Sequence, residues 1–263
     1  MIFWTYAHPR RYTGDSRPEN FGLKAEPLKL RAADGVELDA WLVPNKAARA
    51  ALVVCHGYPM DKSDVLGMTA FLARSYTLLY FDFRATGRSG GFFSTGGARE
   101  TRDIAAAAKH LEERGFSGRV GAFGFSMGAA SLLLAGDGAG LKARALDSPY
   151  ASLSDELDHI FPGWGAWRRP LLALMKLWNF ALTGISIGSV SPERAAAGLK
   201  TPLLLIHGDA DRQVLHGHSK RIAAANPAAE FWTVPGAGHG EARYLAGAEY
   251  ERRVLAFFGE HLK

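Results

Sequence analysis

Cysteine is almost absent from this sequence, because only Cys55 occurs among its 263 residues. An internal disulfide is therefore impossible, and the fold does not need an oxidising compartment. Cys55 ends the apolar run Ala51–Cys55, where a small buried side chain is expected rather than a reactive thiol.

Long apolar runs and basic clusters are also missing. The aromatic segment Met1–Ala7 is too short to span a bilayer and lacks the features of a signal peptide. We expect it to pack on the domain, and the stub of a removed anchor is the alternative. The net charge is +5, but no run of Lys and Arg interleaves with aromatic residues. The sequence thus predicts a soluble, cytoplasmic protein with no integral membrane segment and no nucleic-acid partner.

Short apolar runs alternate with amphipathic segments along the chain. The runs typical of strands are Ala51–Cys55, Tyr76–Phe83, Arg119–Phe125, Ala143–Leu146, Pro202–Ile206 and Glu230–Val234. The Asp34-Gly35 pair predicts a hairpin in front of them. Amphipathic patterns predict a helix over Asp64–Ser75 and a closing helix over Ala242–His261. We therefore expect one α/β domain over residues 1–263, with a mostly parallel twisted sheet, an antiparallel N-terminal hairpin and helices on both faces. Functional residues of such sheets lie just after the strands.

The pentapeptide Gly124–Gly128 reads G-x-S-x-G between a strand-like and a helix-like segment. A sharp strand-to-helix turn of this kind is the nucleophile elbow, which exposes the hydroxyl of its serine. The residues two before and two after the serine must be small, because neighbouring backbone occupies the space that their side chains would need. Ser126 is the predicted nucleophile.

A nucleophilic serine needs a histidine as base and an acid to orient that histidine. Of the nine histidines, His239 is the best candidate, because its glycine-rich loop follows the last strand. Asp211 is the predicted acid, in the loop after the strand Pro202–Ile206. Asp209, closer to that strand, is given a structural role in holding turn amides, and Asp147 is the outside candidate for the acid.

The oxyanion of the tetrahedral intermediate needs two backbone N–H donors. Met127, the residue after the nucleophile, is expected to supply one. The loop after the strand Ala51–Cys55 is expected to supply the other, and Tyr58 is the residue chosen there.

At these motifs the sequence resembles the serine hydrolases of the α/β-hydrolase fold over nearly its whole length. The matching segments are His56-Gly57, Asp82–Gly90, Gly124–Gly128, His207–Asp211 and Gly238–Gly240. Asp34–Leu38, Ala40–Pro44 and Ser191–Glu193 resemble a small esterase-like branch, many members of which carry an N-terminal membrane anchor that we expect this chain to lack. The resemblance implies hydrolysis of esters, thioesters or acyl-peptides without metal or cofactor, and structural roles for Asp82 and Arg84.

Residues 150–190 interrupt the alternation with a segment crowded with large apolar side chains. We expect short helices that form a cap over the site, with Trp164, Trp167 and Trp178 lining an apolar pocket. An extra packed helix pair without substrate contact is the alternative.

The predicted function is hydrolysis of carboxylic esters with a hydrophobic acyl or aryl part, through an acyl-enzyme on Ser126. The alternatives are an acyl-peptidase, a thioesterase or an acyltransferase with the same triad. A non-catalytic binding or scaffold protein on the same fold is the alternative of another class. The expected partner is a small-molecule ester, and the oligomeric state is not predicted.

Overall fold

A twisted sheet of eight strands runs through the computed structural model, which describes residues 7–161 and 165–263. The strands are β1 (Glu26–Arg31), β2 (Glu37–Val43), β3 (Ala51–Cys55), β4 (Thr77–Phe81), β5 (Val120–Phe125), β6 (Arg144–Asp147), β7 (Leu203–Gly208) and β8 (Glu230–Val234). Their order across the sheet is β1-β2-β4-β3-β5-β6-β7-β8. The hairpin β1–β2 and the pair β2–β4 are antiparallel, and the remaining neighbours are parallel. The predicted fold class is confirmed.

Helices cover both faces of the sheet. They are α1 (Leu66–Thr69), α2 (Glu100–Leu111), α3 (Met127–Leu134), α4 (Leu153–Ile160), α5 (Arg168–Thr183), α6 (Pro192–Ala197), α7 (Gly217–Ala225), α8 (Ala242–Ala246) and α9 (Ala248–His261). One buried cluster joins the sheet to α2, α3, α6 and α7, and a second joins it to α1, α8 and α9. The central strands β3, β4 and β5 lie between these two clusters and are buried along their whole length, because helices cover both of their faces.

Two predicted helices are shorter than their apolar patterns. The closing helix breaks at Gly247, whose φ of 52° is outside the helical region, so that α8 and α9 replace one continuous helix. The predicted helix at residues 64–75 forms only α1, followed by a 3₁₀ turn over Ala70–Arg74. Among the described residues, no single helix has the length and hydropathy of a membrane span. Two consecutive helical segments, Gly165–Thr183 and Ile187–Ala197, together have the length and composition of a membrane span, but the chain bends by 87° between them.

The turn from β5 into α3 leaves no room for side chains on either side of Ser126. A Cβ atom on Gly124 would lie 2.7 Å from the backbone nitrogen of Ala129. A Cβ atom on Gly128 would lie 2.5 Å from the carbonyl oxygen of Cys55. Both glycines are therefore required by close backbone packing, which is the reason for the spacing of the pentapeptide.

The substitution Gly128→Ala is expected to destabilise the fold by about 3 kcal/mol or more, since the added methyl group meets the backbone of β3. Urea unfolding measures the change. Gly138→Ala is the matched control, because a Cβ atom there meets nothing within 4 Å. Equal stability of the two variants would contradict the packing explanation.

Candidate active site

Ser126 occupies the turn between β5 and α3 in a conformation that side chains rarely adopt. Its φ and ψ are 53° and −116°. The surrounding backbone holds it there, because its N–H donates to the carbonyl of Asp147 at 2.8 Å and its own carbonyl accepts from Ala130 at 3.0 Å. Strain of this kind costs of the order of 1–3 kcal/mol and is concentrated at functional sites.

The structure brings Ser126, His239 and Asp211 into one hydrogen-bonded chain. The Nε2 of His239 lies 3.1 Å from the Oγ of Ser126, and its Nδ1 lies 2.7 Å from an Oδ2 oxygen of Asp211. With Nδ1–H donating to the carboxylate, Nε2 is free to accept the serine proton. The three side chains come from the ends of β5, β7 and β8, which meet at the same edge of the sheet.

The carboxylate of Asp211 is buried and receives donors from its own loop. Its Oδ1 accepts from the N–H groups of Gln213 and Val214, each at 2.9 Å. The Nε2–H of His207 points at Oδ2 from 3.2 Å and at the carbonyl of Val214 from 2.9 Å. Burial acts to raise the pKa of Asp211, but the donors from His207 and His239 outweigh it, and the pKa is held below its ordinary value.

His207 is a contributor that the sequence reasoning missed. The sequence pattern includes it only as the first residue of the segment His207–Asp211. Its spacing of four residues from Asp211, across a tight turn, is the signal that could have identified it. Its Nδ1 accepts the hydroxyl of Ser219 at 2.6 Å, which fixes the proton on Nε2.

The other candidate acids have partners of their own. Asp209 is exposed, and its Oδ1 accepts the N–H of Gly236 at 2.6 Å, so that it ties the loop after β7 to the loop that carries His239. Asp147 is buried and accepts the hydroxyls of Tyr250 at 2.7 Å and of Ser148 at 2.9 Å. Asp147 therefore does not touch His239 through a hydrogen bond.

Asp82 and Arg84 both lie in the loop after β4. The Oδ1 of Asp82 accepts the backbone N–H of Lys62 at 2.9 Å, and its Oδ2 pairs with the Nζ of Lys62 at 2.7 Å. Oδ2 also accepts the backbone N–H of Arg88 at 2.9 Å. The guanidinium of Arg84 pairs instead with Asp103 and Asp34. These contacts tie the loop after β4 to Lys62, Asp103 and Asp34, which agrees with the structural roles that the resemblance implied.

The two residues predicted to donate to an oxyanion line the same cavity as Ser126. Met127 is the first residue of α3, so its N–H has no acceptor within the helix. Tyr58 lines the same cavity as Met127. The loop of Tyr58 is fixed by His56, whose Nε2 accepts the N–H of Phe83 at 3.0 Å and whose Nδ1–H donates to the carbonyl of Gly57 at 2.6 Å. Burial lowers the pKa of His56, which keeps the ring neutral in this role.

A cavity of about 540 Å³ opens over Ser126 and His239. Its apolar wall comes mainly from α4 and neighbouring loops: Tyr150, Leu153, Leu157, Ile160, Ile187 and Val214. Glu156 and Asn179 are polar groups in the same wall. Within the described ranges, no group of three or more His, Cys, Asp or Glu side chains could hold a metal ion.

The predicted tryptophan lining is not found. Trp167 and Trp178 are 74% and 53% exposed and are not among the residues that line the cavity, while Trp164 lies outside the described residues. The reason is the orientation of α5, which buries the stripe Leu172, Met175, Asn179 and Thr183. The outward face of α5 exposes Leu171, Leu174, Leu177 and Phe180 beside the tryptophans. The expectation was therefore wrong for Trp167 and Trp178.

Comparisons with known proteins agree with the fold. A sequence model of the alpha/beta hydrolase family matches residues 52–253. The uncharacterized protein YfhR from Escherichia coli O157:H7 is 30% identical over 209 residues, which cover 75% of this chain and 67% of that protein. The uncharacterized protein Rv2307c from Mycobacterium tuberculosis is 30% identical over 237 residues, covering 88% and 78%.

Solved structures share the fold. The esterase Pf2001 from Pyrococcus furiosus superposes with a TM-score of 0.82 at 24% identity, over 97% of this chain and 100% of that one. The acylaminoacyl peptidase from Pyrococcus horikoshii superposes with a TM-score of 0.66 at 20% identity, over 92% of this chain and 42% of that one. At these identities the likeness establishes the fold.

The substitution Asp211→Asn is expected to remove part of the pH dependence of stability. Because the folded pKa of Asp211 lies below its ordinary value of 3.8, the unfolded chain binds more protons just below pH 3.8. The stabilisation is present above that pH and is lost as the pH falls through the folded pKa.

Urea unfolding of both proteins from about pH 5 down to about pH 2 measures the effect. Other carboxyl groups titrate in both proteins, so their effects cancel in the stability difference between wild type and variant. That difference should shrink as the pH falls, because Asp211 takes up a proton in wild type only. A difference that stays constant would contradict the assignment.

Proposed function

The chain belongs to the alpha/beta hydrolase family, and we propose that it is a serine hydrolase that cleaves carboxylic esters with a hydrophobic acyl part. One observation carries the proposal: the continuous hydrogen-bonded chain from Ser126 through His239 to Asp211, with distances of 3.1 and 2.7 Å. This order of nucleophile, acid and base along the sequence is the one typical of the fold.

The first half of the proposed reaction forms an acyl-enzyme. The Oγ of Ser126 attacks the ester carbonyl while its proton passes to the Nε2 of His239. Asp211 keeps the imidazole oriented and stabilises the imidazolium through Nδ1–H. The N–H groups of Met127 and Tyr58 are the proposed donors to the oxyanion, and loss of one such donor costs about 3 kcal/mol of transition-state stabilisation.

The first half ends when the ester C–O bond breaks and His239 gives its proton to the departing alcohol, which leaves the acyl group on Ser126. The second half releases the acid, and it begins when His239 takes a proton from the water that attacks the acyl-enzyme. The tetrahedral intermediate collapses to free acid and the regenerated hydroxyl of Ser126. Each proton that leaves an oxygen nucleophile thus returns to a leaving oxygen through the same nitrogen.

The cavity supports a hydrophobic acyl chain as the bound part. Its apolar wall is supplied largely by the insertion between β6 and β7, residues 150–190, which we propose acts as a cap over the site. A volume of about 540 Å³ lies within the range of small-molecule sites. Burial of the acyl chain against this apolar wall would contribute about 0.8 kcal/mol per methylene group.

The substitution Ser126→Ala tests the nucleophile. Hydrolysis of p-nitrophenyl esters should fall by at least about 10⁴-fold, and labelling by a fluorophosphonate probe should disappear, because the hydroxyl that attacks both reagents is gone. Ser117→Ala, an exposed serine in the loop before β5, is the control and should keep both activities. Retained hydrolysis by the folded Ser126→Ala protein would refute the proposal.

The substitution Ile160→Trp tests the pocket wall. Ile160 lines the cavity and is 41% exposed, so a larger side chain can enter there without disturbing the core. It should lower kcat/KM for long acyl chains relative to acetate by about fourfold for each methylene group that no longer fits.

The matched control for this change is Leu177→Trp on the outward face of α5, where the side chain is 64% exposed and does not line the cavity. Its chain-length profile should equal that of wild type. A shift with Leu177→Trp and none with Ile160→Trp would contradict the assignment of the wall.

A further inference from the structure

Glu156 is a buried acid in the wall of the active-site cavity. It lies on α4, is 5% exposed and lines the cavity beside the apolar side chains of Leu153 and Leu157. Its Oε2 has no hydrogen-bond donor among the described residues. A buried carboxyl oxygen without a donor is costly, and each such group in a native structure calls for an explanation.

His218, on α7, does not supply the missing donor. Its Nδ1 accepts the N–H of Ala151 at 3.1 Å, which leaves the proton on Nε2. That Nε2 lies 3.6 Å from the Oε2 of Glu156, beyond hydrogen-bond distance. Burial, with a smaller contribution from Arg221, lowers the pKa of His218 to about 4, so its ring brings no positive charge near neutral pH.

The Oε2 atom is shielded in this conformation, but Glu156 lines the cavity, so a small rotation of its carboxyl group would bring it to a donor on the bound substrate. The acyl chain of the proposed substrate fills this cavity, and an unsubstituted chain would leave the carboxyl oxygen unsatisfied. A hydroxyl or ammonium group on the chain would donate to it, and a hydrogen bond to a charged acceptor is the stronger kind.

Resting on the proposed function, we propose that Glu156 selects acyl chains that carry a hydrogen-bond donor, a hydroxyl or an ammonium group, over plain alkyl chains. Discrimination of this type is large, because a site with a buried polar group rejects an analogue that leaves the group unpaired. The substrate class is then a hydroxylated or aminated ester rather than a simple alkyl ester.

The preference should depend on pH. Burial raises the pKa of Glu156 to about 7. The titratable and charged groups around it are His159 on α4, His218 on α7, His207, Asp211 and Arg212 near the end of β7, and His239 after β8. The ionised carboxylate accepts a donor more strongly than the neutral acid, so the preference should grow as the pH rises.

The experiment compares p-nitrophenyl esters of unsubstituted, terminally hydroxylated and terminally aminated acyl chains, matched in length over a series. The measured quantity is the ratio of kcat/KM for the substituted ester to that for the plain ester. The pH dependence of the steps that both esters share cancels in the ratio.

For wild type, the ratio should be about ten or more for at least one of the two donors, at the chain length that gives the largest ratio. A larger ratio for the amine identifies an ammonium ligand, and a larger ratio for the alcohol identifies a hydroxyl.

Three variants make the test specific to the carboxylate. Glu156→Leu should abolish the preference. Glu156→Gln should keep a weaker preference that no longer changes from about pH 6 to about pH 8, on either side of the wild-type pKa of about 7. Asp155→Asn is the matched control. Asp155 is the exposed neighbour of Glu156 on α4, pairs with Arg221 and does not line the cavity, so the variant should leave the ratio unchanged.

A wild-type ratio near one at every chain length, or a ratio that survives Glu156→Leu, would overturn the inference. Fluorophosphonate labelling of Ser126 separates this failure from failure of the proposed function. Labelled protein with no donor preference refutes only the role of Glu156. Folded protein that neither labels nor hydrolyses any ester refutes the serine hydrolase itself.

Discussion

A buried negative charge on Asp211 constrains the whole edge of the sheet where the candidate site lies. A carboxylate in a poorly solvated position must be met by donors, or it takes up a proton. Here the backbone of Gln213 and Val214 meets one oxygen, and His207 and His239 meet the other. The turn after β7 is therefore shaped around this charge, and the ring of His239 is held by it at a fixed angle to Ser126.

The second fixed point is the backbone turn at Ser126. Its positive φ is stable only because β5 and α3 pack against β3 with no intervening side chain at Gly124 and Gly128. The two constraints act on opposite ends of His239, since the carboxylate orients Nδ1 and the turn presents a hydroxyl to Nε2. The loops that carry these residues thus owe their geometry to one buried charge and to close backbone packing.

These constraints explain why much of the arrangement could be predicted from the sequence. Parallel strands bring their carboxyl ends to one edge, so the residues after β5, β7 and β8 had to meet once the strands were identified. Gly124 and Gly128 leave a local signature because the turn tolerates nothing larger. The break of the last helix at Gly247 was less accessible, since the apolar pattern continues across it and a single glycine costs only about 1 kcal/mol within a helix.

The pocket wall could not be predicted in the same way. α5 carries large apolar side chains around most of its circumference, and hydropathy alone does not say which side faces the cavity. Three-dimensional packing decides it: Lys176 donates to Ser154 on α4 at 2.7 Å, and Leu172 and Met175 pack inward. That orientation leaves Trp167 and Trp178 in solvent, as part of an exposed apolar surface of the kind that marks contacts with lipid or with other proteins.

A cap is expected to be apolar on its inner face and polar on its outer face, and this insertion departs from that pattern on both faces. Its outer surface on α5 is apolar, while Glu156 and Asn179 bring polar groups to the inner wall of the cavity. An apolar wall alone would bind acyl chains by length, with little power to distinguish one chain from another of similar size. A carboxyl group set into that wall adds a chemical requirement to the requirement for size, because desolvating it without a donor is unfavourable. In the proposed function, the reaction type depends on the residues at the edge of the sheet, and the proposed selectivity depends on the inner face of the insertion.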